Sequence, residues 1–310
     1  MSIPIIDLAA GDADAVAHAV GAACEHIGFF IIVGHGVDPD VLARASAAGT
    51  SFFDLPVEEK SAFELGDSQG LVMDGLRYNG LEKEALAASL GEKTPADLKE
   101  SIGFGPVDLG RPWPGRPAEL EPALRDYFAA MLALADRLRG LLLRALELPA
   151  DALDRYFRAD GGASYLRVLN YPERAGALPG QMRAGAHTDY DCITILRSQD
   201  SAGGLQVQAR DGAWHDVQGI DDAFVVNIGD AMTIWSNDRF VSTLHRVVTP
   251  PDALVAGSRR QSLAFFYSPA PETLLEPFVR PGEPVRCEPT RFDELQDRKA
   301  NLAHGVASTS

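Results

Sequence analysis

The chain has only three cysteines in 310 residues, Cys24, Cys192 and Cys287, and they stand far apart. That spacing excludes a Cys-x-x-Cys redox pair, a zinc ribbon and a disulfide framework, and it predicts a reducing, cytoplasmic setting. Long apolar runs are missing as well. The most apolar stretch, Tyr127 to Ala135, is cut off by Asp136 and Arg137, well short of the ~20 residues that span a bilayer. The opening Met1-Ser2-Ile3-Pro4-Ile5-Ile6-Asp7 has no basic region ahead of an apolar one, so neither a secretory signal nor a membrane segment is expected. Positive charge is scarce: 28 Lys and Arg against 44 Asp and Glu leave a formal net charge of −16. Such a chain repels phosphate backbones and anionic lipid, which argues against nucleic acid and membrane as partners.

What is present is the composition of a globular domain. A hydrophobic fraction of 46% and a charged fraction of 23% exclude a disordered, collagenous or coiled-coil chain. The length fits one large domain with an N-terminal extension. Up to about Leu65, short β-like runs (Ile3 to Ile6, Phe29 to Val33) alternate with helical stretches that Asp12 and Asp38 are placed to cap, with Pro39 in a first turn. From Gly66 to Pro117 the pattern dissolves into Gly and Pro punctuation, as expected of a long segment that covers a site. Glu119 to Leu148 reads as one amphipathic helix, with Leu124, Phe128, Met131, Leu134, Leu138, Leu141 and Leu142 recurring at three- and four-residue steps.

After Ser164 the period becomes that of strands. Ser164 to Tyr171, Cys192 to Leu196, Leu205 to Gln208, Phe224 to Ile228, Met232 to Ile234, Leu244 to Val248 and Gln261 to Tyr267 are short β-favouring runs separated by turn signals. Many short strands at close spacing predict a sandwich or barrel. A short helix near Phe292 to Leu302 precedes a fraying end.

Of the seven histidines, two stand in a context that packing does not explain. In His187-Thr188-Asp189 an imidazole and a carboxylate two residues apart share one face of a strand. His245 lies on another β-like run. Two histidines and one carboxylate on one face of a metal ion leave the opposite face open, the arrangement of non-haem Fe(II) oxygenases. Alone, His-x-Asp is as well read as a hydrogen-bonded turn pair. Arg260-Gln261-Ser262 adds a guanidinium and a hydroxyl on one strand face, donors suited to a carboxylate, although Arg260 is also readable as a surface ion pair. His35 between two glycines reads as structural, His18 and His26 as helical, His215 as exposed, and His304 as part of the tail. Cys192, three residues beyond Asp189, reads as a small packing group.

Taken in order, His187-x-Asp189, His245 and Arg260-x-Ser262 resemble the isopenicillin N synthase-like branch of the Fe(II)/2-oxoglutarate-dependent dioxygenases. The surrounding text agrees: Ala186-His187-Thr188-Asp189-Tyr190, Gly203-Gly204-Leu205-Gln206-Val207, Asn227-Ile228-Gly229-Asp230 and Trp235-Ser236-Asn237-Asp238-Arg239. Near the start, Ile3-Pro4-Ile5-Ile6-Asp7-Leu8 and the run from Gly28 to Val37 resemble the family's N-terminal domain. The likeness covers about residues 3 to 270.

The resemblance implies a mainly β fold with helical additions, a distorted double-stranded β-helix (jelly roll) behind an N-terminal α+β region. The implied division is 1–117 for that region with its covering segment, 118–160 for helical support, 161–280 for the jelly-roll core and 281–310 for a C-terminal tail. His187, Asp189 and His245 carry over as Fe(II) ligands. Arg260 and Ser262 carry over as donors to 2-oxoglutarate, and Tyr171 matches a tyrosine that hydrogen-bonds this cosubstrate in relatives. The Asn-x-Tyr triplet of plant members reads Leu169-Asn170-Tyr171 here, so the asparagine contact is not carried over. The implied activity is oxidation of a small molecule's C–H bond with O2 (hydroxylation, desaturation or ring closure), with release of succinate and CO2. Its substrate should lie under the 66–117 segment, where Arg77, Tyr78 and Phe104 are the candidate contacts.

Three other readings compete. An isopenicillin N synthase-like oxidase needs no 2-oxoglutarate and can use the Arg-Ser pair for a substrate carboxylate. A zinc hydrolase would need a general base in a motif such as His-Glu-x-x-His, which is missing. A binding protein of the same fold has no need of three metal ligands beside an anion clamp.

Overall fold

A computed structural model of the chain describes residues 2–63, 76–105, 113, 115–159, 161–198 and 204–303. Helix α1 (Ala13–His26) starts where Asp12 accepts the Asp14 and Ala15 N–H groups at 3.0 and 3.2 Å. Helix α2 (Pro39–Phe53) starts where Asp38 accepts the Asp40 N–H at 2.9 Å. Each cap satisfies otherwise orphaned donors and contributes about 1 kcal/mol. After α3 (Val57–Ser61) comes α4 (Leu120–Ala145), whose buried face is the apolar stripe of the sequence, with Leu124, Met131 and Leu138 fully enclosed.

Twelve strands form two sheets. They are β1 (Ile5–Asp7), β2 (Phe29–Val33), β3 (Arg77–Asn79), β4 (Glu100–Phe104), β5 (Tyr165–Tyr171), β6 (Ala184–His187), β7 (Ile193–Ser198), β8 (Leu205–Gln208), β9 (Trp214–Asp216), β10 (Phe224–Ile228), β11 (His245–Val247) and β12 (Arg260–Tyr267). The major sheet runs β1-β2-β10-β7-β12-β5-β4-β3, and the minor sheet runs β6-β11-β8-β9. This is the jelly-roll arrangement, mainly β with helices added to one side. Strands β1–β4 occupy both ends of the major sheet.

Register sorts the side chains, since residues directly opposite in an antiparallel pair point to one face. One face of the major sheet carries Phe30, Ile102, Phe104, Leu166, Val168, Ile195, Val226, Leu263 and Phe265, which join α1, α2 and α4 in the main core. Phe128 of α4 meets Phe265 edge-on at 5.1 Å and Phe104 at 5.4 Å between ring centroids. The opposite face, turned to the minor sheet, carries Phe29, Thr194, Leu196, Ser198, Asn227, Arg260, Ser262, Ala264, Arg167, Leu169 and Tyr171. Leu169, Tyr171, Ala184, Leu205, Val247 and Ala264 form a second core between the sheets.

Several expectations change. Met232–Ile234 is helical, part of α5 (Asp230–Trp235), because the Asp230 and Ala231 N–H groups bond to the Asp189 and Tyr190 carbonyls and start a turn there. An apolar run of three does not distinguish the two states. The 66–117 segment is less irregular than expected: its described part holds β3, β4 and a 3₁₀ turn at Leu86–Leu90. Its residues 66–75, 106–112 and 114 lie outside the described residues, as does His304. His215 is half-buried on β9 rather than exposed. His35 is buried as a structural group, accepting the Val37 N–H at Nδ1 (3.1 Å) with Nε2 3.2 Å from the Asp222 carbonyl oxygen. The C-terminal helix appears as α6 (Phe292–Ala303). No described helix is long and apolar enough to cross a membrane.

Candidate metal centre

His187 ends β6 and His245 begins β11, and the antiparallel register sets them directly opposite each other, with ring centroids 4.3 Å apart. Asp189 lies past the end of β6, so its approach comes from the turn and not from a shared strand face. Its backbone carbonyl accepts the Asp230 N–H at 2.9 Å. Asp189 Oδ1 is 3.7 Å from His187 Nε2 and 3.8 Å from His245 Nε2. One ligand atom from each residue lies within 4.8 Å of the others.

Hydrogen bonds occupy the other polar atom of each of the three residues. His187 Nδ1 is 2.8 Å from the Gly185 carbonyl oxygen, and His245 Nδ1 is 3.1 Å from that of Thr243. A carbonyl only accepts, so each Nδ1 carries its proton and each Nε2 is a free donor to a metal. Asp189 Oδ2 accepts from Thr194 Oγ1 at 2.5 Å and Asn227 Nδ2 at 2.8 Å, which turns Oδ1 toward the histidines. Phe29 packs edge-on against His245 at 5.4 Å and fixes its ring plane.

Electrostatics keep the set ready for a cation. Burial, helped by the adjacent His245, pushes His187 down to about 3, so its imidazole is neutral. Burial alone would raise Asp189, but His245, His187 and the Thr194 and Asn227 donors outweigh it and hold the carboxylate below its ordinary range. Two imidazoles and one carboxylate, each oriented through its other polar atom, are a donor set that fits a first-row divalent ion with open positions.

Four residues along β7 from Thr194, about 13 Å of strand, Ser198 anchors a second polar group on the same inner face. Its Oγ accepts from Arg260 Nε at 2.8 Å and also from Arg260 Nη2, and it lies 2.9 Å from Ser262 Oγ. Arg260 is only 4% exposed, and its guanidinium stands 5.9 Å over the Tyr171 ring. It lines a cavity inside the barrel with Ile31, Leu196, Leu205 and Val225. A Cβ at Gly204 would lie 3.7 Å from Arg260 Nη1, in ordinary van der Waals contact. Arg183 is also near: burial and the Arg260 charge push its guanidinium down to about 10. Leu169 shares the inner face with Tyr171, whereas Asn170 points outward and donates to Glu100 at 2.9 Å.

The three candidate substrate contacts part company. Adjacent strand residues face opposite ways. Tyr78 is buried on the helix side and donates to Glu100 at 2.5 Å, and Phe104 is core, packed edge-on to Trp113 at 5.0 Å. Both thus lie on the core side of the sheet, away from the face that carries Arg260. Arg77, opposite Gly103 and hence in line with Arg167, is half-buried on the inner side. Sequence reasoning missed Thr194, Asn227 and Ser198. Thr194, Leu196 and Ser198 share one strand face at the two-residue period, which the sequence shows, whereas the partner each finds is not legible from it.

Residues 163–269 match the family model of the 2OG-Fe(II) oxygenase superfamily, and residues 3–122 match that of the non-haem dioxygenase in morphine synthesis N-terminal region. The chain is 31% identical to the 2-oxoglutarate-Fe(II) type oxidoreductase hxnY of Emericella nidulans, covering 93% of this chain and 84% of that one. It is 30% identical to the validamycin A dioxygenase of Streptomyces hygroscopicus subsp. limoneus, over 90% and 80% of the two chains. The crystal structure of a full-length Neurospora crassa protein in complex with alpha-KG superposes with a TM-score of 0.79 at 28% identity, over 99% of this chain and 96% of that one. The chain belongs to the 2OG-Fe(II) oxygenase superfamily and is a dioxygenase that depends on Fe(II), 2-oxoglutarate and O2.

Proposed function

We propose that His187, Asp189 and His245 ligate the iron, and that Arg260, Ser262 and Tyr171 hold the distal carboxylate of 2-oxoglutarate. The observation that carries this reading is the shared inner face, on which Thr194 orients the metal carboxylate and Ser198 orients the guanidinium from one strand. Bound Fe(II) and 2-oxoglutarate supply O2 activation and oxidation of a C–H bond, with the 2-oxo acid released as succinate and CO2. The chain's own residues bind and orient. His187 and His245 present Nε2, Asp189 presents Oδ1, and Arg260 offers a planar fork to a carboxylate. The apolar wall of Leu169, Leu196, Leu205 and Val225 excludes water from the cosubstrate and strengthens each of those contacts.

The substrate is proposed as a small molecule reached from the inner side of β3–β5, with Arg77 as a contact. The molecules after which the relatives are named differ, so none is assigned. The acidic charge supports a reading without nucleic acid or membrane as partner, and three free cysteines support a reducing, cytoplasmic setting. A substrate screen that follows succinate under O2, with Fe(II) and 2-oxoglutarate added, tests the proposal. Substrate-dependent succinate is expected. Substrate-dependent O2 uptake without succinate would instead favour the oxidase reading.

A further inference from the structure

Strand β6 carries one proposed iron ligand and is an edge strand, paired only to β11 among the described strands. Its outer side is gripped by the chain just before β4. The Leu98 N–H bonds to the Met182 carbonyl at 2.8 Å, and Asp97 Oδ1 accepts the Gly185 N–H at 3.0 Å. Gly185 in turn accepts His187 Nδ1–H at its carbonyl oxygen. A Cβ on Gly185 would come within 2.8 Å of Ala87 N, so only glycine lets β6 approach this close to the Leu86–Leu90 turn.

Asp97 is itself fixed from three sides. Its Oδ2 accepts the Leu86 N–H at 3.1 Å and lies 3.4 Å from Lys99 Nζ, and its own N–H bonds to the Glu84 carbonyl at 2.7 Å. Lys99 Nζ is 3.0 Å from Glu84 Oε2, which also accepts from Arg167 Nη2 at 2.8 Å, and Arg167 Nε donates to Ser101 at 2.9 Å. Asp97 is 1% exposed and Lys99 3%. Burying such charges is costly for folding alone, and apolar residues would fill the space as well. What they do here that apolar residues cannot is satisfy a strand edge at a defined position, one residue pair from a metal ligand.

We propose that Asp97 is a positioning residue of the metal centre, clamping Gly185 so that its carbonyl fixes the ring orientation and the Nδ1–H tautomer of His187. The proposal rests on His187 being a ligand. Outer groups that orient a metal-bound histidine typically account for roughly 10–100-fold in metal affinity.

The test uses the full chain loaded with Co(II), whose paramagnetism shifts the exchangeable Nδ1–H protons of bound histidines out of the crowded proton NMR spectrum. The wild type should show two such signals, from His187 and His245. Asp97→Asn keeps the shape but turns an NH2 toward one of two backbone donors. One signal should move and exchange faster while the other stays, and Co(II) should bind roughly 10–100-fold more weakly. Lys99→Met keeps both Asp97 acceptors and should move the same signal less. Unchanged signals and affinity, or equal movement of both signals, would overturn the clamp. So would failure of both variants to fold, which would make the network structural only. A wild type that binds no Co(II) would overturn the ligand assignment itself, and the proposal with it.

Discussion

Replacing Arg260 by lysine keeps the positive charge and removes the fork. In the wild type the guanidinium is held by Ser198 through Nε and Nη2 and is 4% exposed, so it is oriented before any ligand arrives. An ammonium in that place is a single point charge without the second parallel donor. Losing one charge-assisted hydrogen bond to a carboxylate costs about 1.5–3 kcal/mol, which is roughly 10- to 150-fold in dissociation constant at 1.4 kcal/mol per decade. Anaerobic calorimetric titration of 2-oxoglutarate into the Fe(II)-loaded variant reads this directly, with a parallel Fe(II) titration as control. The expected pattern is a large loss for 2-oxoglutarate and an unchanged affinity for iron. Equal 2-oxoglutarate affinity in variant and wild type would refute the anion-clamp reading.

Phe104→Ala should lower stability by about 3–5 kcal/mol in denaturant unfolding, as for any enclosed aromatic, with no change in substrate selectivity; a selectivity change in a stable protein would return Phe104 to the site. Arg77→Ala should instead lower substrate turnover while succinate formed without substrate persists, measured as succinate per substrate consumed. Glu84 is partly buried, and although burial alone would raise it, Arg167 and Lys99 hold its carboxyl well below the ordinary range. The unfolded state therefore takes up a proton at Glu84 before the folded state does, and that stabilisation is present above about pH 4.5 and lost as pH falls. Glu84→Gln should be less stable than the wild type at pH 7 by on the order of 3–5 kcal/mol, with the gap narrowing below about pH 4.5; a constant gap would contradict the ion-pair account.

The sequence carried the elements whose local signals agree with their packing. The caps at Asp12 and Asp38, the single buried stripe of α4 and the β-favouring runs around Leu166, Leu205 and Leu263 each form the element their residue types favour. It failed where tertiary contact decides. Met232–Ile234 becomes helical because two turn carbonyls capture its first N–H groups. Tyr78 and Phe104 fall on the helix side because β3 and β4 join the sheet, and a three-residue strand among Gly and Pro leaves no periodic trace. At the site, the His187, Asp189 and His245 triplet was legible from residue type and order. The devices that orient it were not, since Asn227, Ser198 and Asp97 act through partners tens of residues away. Asp189 is brought in by the turn after β6, although the two-residue spacing pointed to the same neighbour.

The most direct test of the central claim is the visible charge-transfer absorption that Fe(II) gains when a 2-oxo acid chelates it, followed anaerobically in the wild type, Asp189→Ala and His245→Ala. The wild type should develop the band only when both Fe(II) and 2-oxoglutarate are present, and folded Asp189→Ala and His245→Ala should lose it or need far more iron to show it. Full-intensity bands at wild-type iron concentrations in both variants would contradict the assignment of His187, Asp189 and His245 as the iron site.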